Sequence, residues 1–190
     1  MEQHTWAGAI HEVWHTAARH KLVSGLIALC VVASLIAIGL ATSGSAAPAA
    51  APDPAAPSFS LPVLGQSGQK ISLADYAGRP LIVNFFASWC EPCQQETPLL
   101  ARFYRTEHAK MAIVGLDAND VLGSAESFTH KEGVSYPVGF DPEATAASAY
   151  GVVALPQTFF LNAKHRIVDR VFGAVTLADI NHGIALATAR

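Results

Sequence analysis

The sequence predicts an α/β sandwich, and three observations lead there. The apolar run Leu81–Ala87 leads directly into Trp89-Cys90-Glu91-Pro92-Cys93 and then into an amphipathic stretch. Further apolar strand-like runs alternate with helical patterns down the chain. A final pair of strand-like runs is joined by Asn162-Ala163-Lys164-His165 and followed by a capping signal at Thr176-x-x-Asp179.

The elements follow in order. Residues 1–21 form a short tail that carries Arg19 and Lys21 at its end. Leu22–Leu40 holds no charged residue, and as a helix it would span about 28 Å, close to the hydrocarbon thickness of a bilayer. No Lys or Arg then occurs before Lys70. Positive charge stays on the cytoplasmic side, so this single transmembrane helix predicts a cytoplasmic tail and an extracytoplasmic remainder. The lengths favour an uncleaved anchor, while Ser45-Ala46-Ala47 keeps a cleaved signal peptide open. Cys30 sits mid-segment after Leu29, not after a small residue, and reads as an apolar filler, not as a lipid attachment point. Residues 41–57 are an Ala/Pro-rich linker, whose 46–57 portion could reach roughly 37 Å if extended.

The globular part is expected over residues 58–190. Phe59–Leu64 and Lys70–Leu73 read as short strands around the Gly65–Gly68 turn. Leu81–Ala87 is the first core strand, Cys93–Lys110 a helix with Leu99, Leu100 and Phe103 on its apolar face, and Met111–Leu116 the second core strand. Ala125–Glu132 reads as a helix and Tyr136–Gly139 as a short extended piece. Asp141-Pro142-Glu143 predicts a helix start, with Asp as cap and Pro first, ending near Tyr150-Gly151. Gln157–Leu161 and Arg166–Phe172 form the antiparallel hairpin, and Leu177–Ala189 the last helix.

The chemistry is carried by the cysteines. A strand running into C-x-x-C and a helix is the context of a redox dithiol. Pro92 suits the first helical turn, and Cys90 then lies at the positive end of the helix, where a thiolate is stabilised. A structural disulfide over so short a loop would constrain the unfolded chain little. A zinc site would need two more ligands, and the only other cysteine is Cys30. The site residues require no metal or cofactor.

Other signals are weaker. His11-Glu12-Val13-Trp14-His15 matches H-E-x-x-H but lies in a short tail with no core to build a cleft. His4 and His20 could join it, with nothing to enforce a cluster. His108, His130, His165 and His182 are scattered, as surface histidines are. A net charge of −3 over 190 residues excludes a charge-driven nucleic-acid partner. A copper chaperone would want a longer cysteine spacing with a nearby His, a peroxiredoxin a T-x-x-C context; neither is present. A non-enzymatic tethering protein is the remaining rival.

The W-C-x-x-C at the end of the first core strand, with Ala154-Leu155-Pro156-Gln157-Thr158-Phe159-Phe160 further on, resembles the thioredoxin superfamily. The resemblance covers about residues 58–189. It implies a thioredoxin-like fold, a central mixed sheet flanked by helices, with a cis proline at Pro156 beside the dithiol. In the family that turn pairs with the substrate chain, which makes Leu155 and Pro156 candidate substrate-binding residues, together with Trp89. The C-E-P-C dithiol, the N-terminal anchor, Tyr136-Pro137-Val138 and Phe160-Leu161-Asn162 resemble the TlpA/ResA/CcmG group of membrane-tethered thiol–disulfide oxidoreductases. That resemblance implies Cys90 as the attacking, exposed thiol and Cys93 as the resolving one. Glu96 stands where ResA-like proteins place an acidic residue near the dithiol; a solvated helix residue is the bland alternative. Asn84 departs from thioredoxin, which has a titrating aspartate there, so a proton-handling role would fall to Glu96.

Glu91 beside Cys90 opposes thiolate formation, and no His or Lys between the cysteines favours it. A fairly reducing dithiol is therefore expected, acting on protein disulfides. The family implies a membrane thiol-electron transporter as its reductant and apocytochrome c cysteines or other extracytoplasmic disulfides as clients. A thiol oxidase or a metal-handling module on the same fold is the alternative.

Overall fold

A computed structural model of the protein describes residues 53–189, His108 and Lys110 excepted. The tail, the anchor, Cys30, the H-E-x-x-H histidines, His4, His20 and the linker up to residue 52 lie outside the described residues. Among the described residues no helix is long and apolar enough to cross a membrane.

The strands are β1 (Ser60–Pro62), β2 (Lys70–Ser72), β3 (Leu81–Phe86), β4 (Ala112–Ala118), β5 (Val138–Asp141), β6 (Gln157–Leu161) and β7 (Ile167–Phe172). The α-helices are α1 (Glu91–Glu107), α2 (Leu122–Lys131), α3 (Thr145–Ala149) and α4 (Leu177–Thr188), and a 3₁₀ turn spans Leu73–Tyr76. Five strands form one sheet in the order β5-β4-β3-β6-β7. β3, β4 and β5 run parallel, while β6 is antiparallel to both β3 and β7, so the sheet is mixed. β1 and β2 make a separate antiparallel pair.

β3 is central, and all six of its residues are buried. A strand covered on both faces must be apolar along its whole length, which Leu-Ile-Val-Asn-Phe-Phe nearly is. Ile82 and Phe86 point to one layer with Leu100, Phe128, Phe160 and Ile180; the dithiol belongs to this layer. Leu81, Val83 and Phe85 point to the other, with Leu116, Tyr150 and Phe159. Gly183 lets α4 press on the sheet: a Cβ there would lie 2.2 Å from the Phe160 ring.

Several boundaries differ from expectation. β4 extends through Asp117 and Ala118, because its pairing with β5 continues to Ala118–Asp141. α2 starts at Leu122, not Ala125. α3 does not begin at Asp141-Pro142-Glu143. The same pairing keeps Asp141 extended, Ala144 turns with φ 51°, and the helix starts at Thr145. Asp141 still caps it from a distance, accepting from the N–H of Thr145 (2.8 Å) and Ala147 (3.0 Å). The β6–β7 hairpin and the reciprocal Thr176–Asp179 capping box form as expected. His165 is half-buried, not a free surface residue; its Nε2 lies 3.0 Å from the Tyr76 carbonyl. Residues 54–56, expected as linker, pair with the hairpin: Pro54 accepts from Ile167 N–H and Ala56 N–H donates to His165 O.

Candidate active site

The site lies where β3 ends and α1 begins. Cys90 immediately precedes α1, and Pro92 is its second residue, where a missing N–H costs nothing. Cys90 and Cys93 are joined in a disulfide with an S–S distance of 2.03 Å. The Cys93 N–H points at Cys90 Sγ, 3.3 Å away. That geometry sets the helix N-terminus against the sulfur that leaves or attacks. Cys93 is 0% exposed and Cys90 only 4%. Expectation had Cys90 exposed; as a disulfide it is folded into the end of the apolar layer beside Ala87.

The approach to the helix is tied down on all sides. Ala87 O accepts from Cys90 N–H (3.2 Å), and Gln94 Nε2 donates to Ser88 O (2.9 Å). Trp89 Nε1–H donates to Asn119 O (2.9 Å), yet its ring is 59% exposed. The Leu155–Pro156 peptide is cis. Trp89 and Leu155 line one shallow cavity of about 190 Å³ with Asn119, Val152, Val153 and Ala154. Residues 89 and 155, far apart in sequence, thus line one cavity, and Trp89 immediately precedes Cys90.

Glu96 is not solvated. It follows Cys93 by three positions, so the two share a helix face, and it is 2% exposed. Its Oε1 accepts from Asn84 Nδ2 (2.8 Å) and its Oε2 from Val175 N–H (2.6 Å). Asn84 also donates to Thr158 Oγ1 (2.9 Å). Burial drives the Glu96 pKa up, the two N–H donors hold it back, and the outcome is about 7. A carboxyl that titrates near neutrality can take up and return a proton at working pH.

The sequence reading missed four residues. Val175 and Thr158 bind this network through a backbone N–H and a hydroxyl, which no side-chain pattern signals. Asp120 grips Ser88, and Asp117 lies fully buried in β4; a charged residue inside an apolar strand run was the available signal. Among the described residues, no group of three or more His, Cys, Asp or Glu is arranged to hold a metal ion.

A mixed sheet, a disulfide at the first turn of the helix after its central strand, and a cis proline immediately before the neighbouring strand β6 define a thioredoxin-like thiol–disulfide oxidoreductase. The chain belongs to the AhpC/TSA family, whose model matches residues 52–170. It is a ResA/CcmG-like member of the thioredoxin superfamily. It is 33% identical over 127 residues to the thiol-disulfide oxidoreductase ResA of Bacillus subtilis, covering 66% of this chain and 70% of that one. A thioredoxin-family thiol:disulfide interchange protein from Chlorobium tepidum superposes with a TM-score of 0.63 at 31% identity, covering 73% of this chain and 98% of that one. A DsbF homologue from Corynebacterium diphtheriae gives 0.62 at 27%, covering 70% and 85%. The protein is accordingly a protein-disulfide oxidoreductase.

Proposed function

We propose that the protein is a membrane-anchored, extracytoplasmic reductase of protein disulfides, with Cys90 as nucleophile and Cys93 as resolving thiol. The observation that carries this reading is the Cys90–Cys93 disulfide at the N-terminus of α1, with Glu96 buried three residues on along the Cys93 face.

The Cys90 thiolate attacks one sulfur of a client disulfide; a mixed disulfide forms and one client thiolate leaves. Cys93 then loses its proton to Glu96 and attacks Cys90 Sγ. The second client thiolate departs, and two electrons have passed to the client as the Cys90–Cys93 bond closes. A client segment lies along Leu155 and Pro156, with Trp89 walling the approach. The apolar Leu22–Leu40 segment holds the domain at the membrane, and the linker up to residue 52 sets its reach. Glu91 next to Cys90, with no cation between the cysteines, supports the reducing direction. A dithiol that reduces in an oxidising compartment needs continuous electrons, so its own reductant is a membrane thiol-electron transporter. Apocytochrome c cysteines awaiting haem are a fitting client class, a reading that rests on the likeness to the ResA and CcmG group.

The test is insulin reduction with dithiothreitol as electron source, followed by trapping in native membranes. The wild type accelerates reduction, Cys90→Ser abolishes it, and Cys93→Ser accumulates a mixed disulfide whose client is an extracytoplasmic thiol protein. Equal activity in Cys90→Ser overturns the proposal.

A further inference from the structure

Ser88 stands two residues before Cys90, between the central strand and the dithiol helix. Each of its polar groups is engaged by a side chain from elsewhere. Its N–H donates to Asp120 Oδ2 (2.5 Å) and its Oγ–H to Asp120 Oδ1 (3.0 Å). Its carbonyl accepts from Gln94 Nε2 (2.9 Å). Asp120 comes from the loop between β4 and α2, and Gln94 from the start of α1.

The loop that supplies Asp120 is itself tied to the sheet. Asn119 N–H donates to Asp141 O of β5 (3.1 Å), and Asn119 O accepts the Trp89 indole N–H (2.9 Å). Asp120 Oδ1 also accepts from Val121 N–H (2.7 Å), which holds the carboxylate in place. Gln94 sits astride Cys90: its backbone N–H donates to Cys90 O (3.1 Å) while its side chain donates to Ser88 O.

Cys93 cannot travel to meet its partner. It is 0% exposed within α1, and Thr97 Oγ1–H donates to its carbonyl (2.7 Å). Closing the bond therefore needs Cys90 to stay where it is, with its Cα 5.2 Å from that of Cys93. In a mixed disulfide Cys90 carries the client instead, and the turn before α1 alone keeps it near Cys93. Holding two reacting groups together in this way makes the closing step intramolecular and fast.

We propose that Asp120 and Gln94 are positioning residues of the dithiol: they hold Ser88, and through it the Cys90 backbone, within reach of Cys93. The Cys93 thiolate then attacks Cys90 Sγ, the bond from Cys90 to the client breaks, and the client sulfur leaves as a thiolate. The inference rests on the reading of Cys90 and Cys93 as an exchanging dithiol, and it holds whichever way electrons flow.

The test equilibrates the full chain in detergent micelles with graded glutathione buffers, read by thiol alkylation. Protein dithiol and glutathione disulfide give protein disulfide and two glutathione thiols, so the ratio measures how readily Cys90–Cys93 closes. Asp120→Ala lowers this constant about tenfold, a shift of about 30 mV to the oxidising side. Asp120→Asn keeps one acceptor for Ser88 and falls between the two. Gln94→Ala, at an exposed position, loses about threefold. Ser88→Ala, which removes the hydroxyl arm, adds nothing in the Asp120→Ala background. Gly183→Ala, an overpacked core far along the chain, lowers stability and leaves the constant at the wild-type value. An unmoved constant in Asp120→Ala and Gln94→Ala, Asn as damaging as Ala, or a constant that Gly183→Ala shifts equally would overturn the inference. A wild type that reduces no insulin while Asp120→Ala still shifts the constant overturns the proposed function and supports the positioning role.

Discussion

Asn84 Nδ2 donates a 2.8 Å hydrogen bond to Glu96 Oε1 inside the domain, linking the central strand to the dithiol helix. An amide cannot titrate, so the proton traffic at this depth belongs to the carboxyl. Val175 N–H fixes the other oxygen from the segment before α4. Three elements therefore hold one titrating group on the buried cysteine's side of the helix.

The first prediction concerns pH. The Glu96 pKa is raised from 4.5 to about 7, so the folded protein keeps a proton that the unfolded chain has already released. The resulting stabilisation is fully present below about pH 4.5 and is lost as pH rises through about 7. At about 1.4 kcal/mol per pKa unit, the fall is up to about 3 kcal/mol. Urea melts from pH 4 to 8 should show wild-type stability declining and Glu96→Gln declining less. Asp117, raised to about 8, leaves a residual slope of the same sign in that variant.

The same substitution separates proton handling from packing. Glu96→Gln keeps shape and polarity but takes no proton, so it should slow the resolving step by about 10- to 100-fold, in line with general-base effects. Stopped-flow release of product from a preformed mixed disulfide measures this step. An unchanged rate assigns Glu96 to structure alone.

Gly183→Ala tests how closely α4 approaches the sheet. Its Cβ would meet the Phe160 ring at 2.2 Å, with ring carbons at 2.3 and 2.4 Å beyond it. Overpacking of this kind costs about 1–3 kcal/mol. Thermal melts should show a lowered Tm, with the dithiol potential unchanged.

Asp141→Ala removes both side-chain acceptors from the first turn of α3 and leaves the Thr145 and Ala147 N–H groups unpaired. A loss of about 1–2 kcal/mol is expected, the size of a helix-cap deletion. Asp141→Asn, which keeps one acceptor, should recover part of it in the same urea melts.

How much of this was legible follows from the physics of each element. β3 could be read because a strand buried on both faces is apolar throughout, and the dithiol because C-x-x-C sits at its end. The capping box at Thr176 and Asp179 could be read because both partners lie within one helical turn. The start of α3 was misread because a distant strand pairing holds Asp141 extended against its local helix signal. The setting of Glu96 could not be read at all: its partners lie 12 and 79 residues away, and one of them is a backbone N–H. Cys90 looked exposed by resemblance, but as a disulfide it is buried at the end of the apolar layer.

The reduction potential of the Cys90–Cys93 pair tests the central claim most directly. Equilibration of the full chain against graded dithiothreitol buffers, read by thiol alkylation, should give a reversible two-electron transition. The midpoint is expected near the reducing end of the thioredoxin-like range, about −230 to −270 mV. A midpoint near about −120 mV, or a pair that dithiothreitol cannot open, would contradict it.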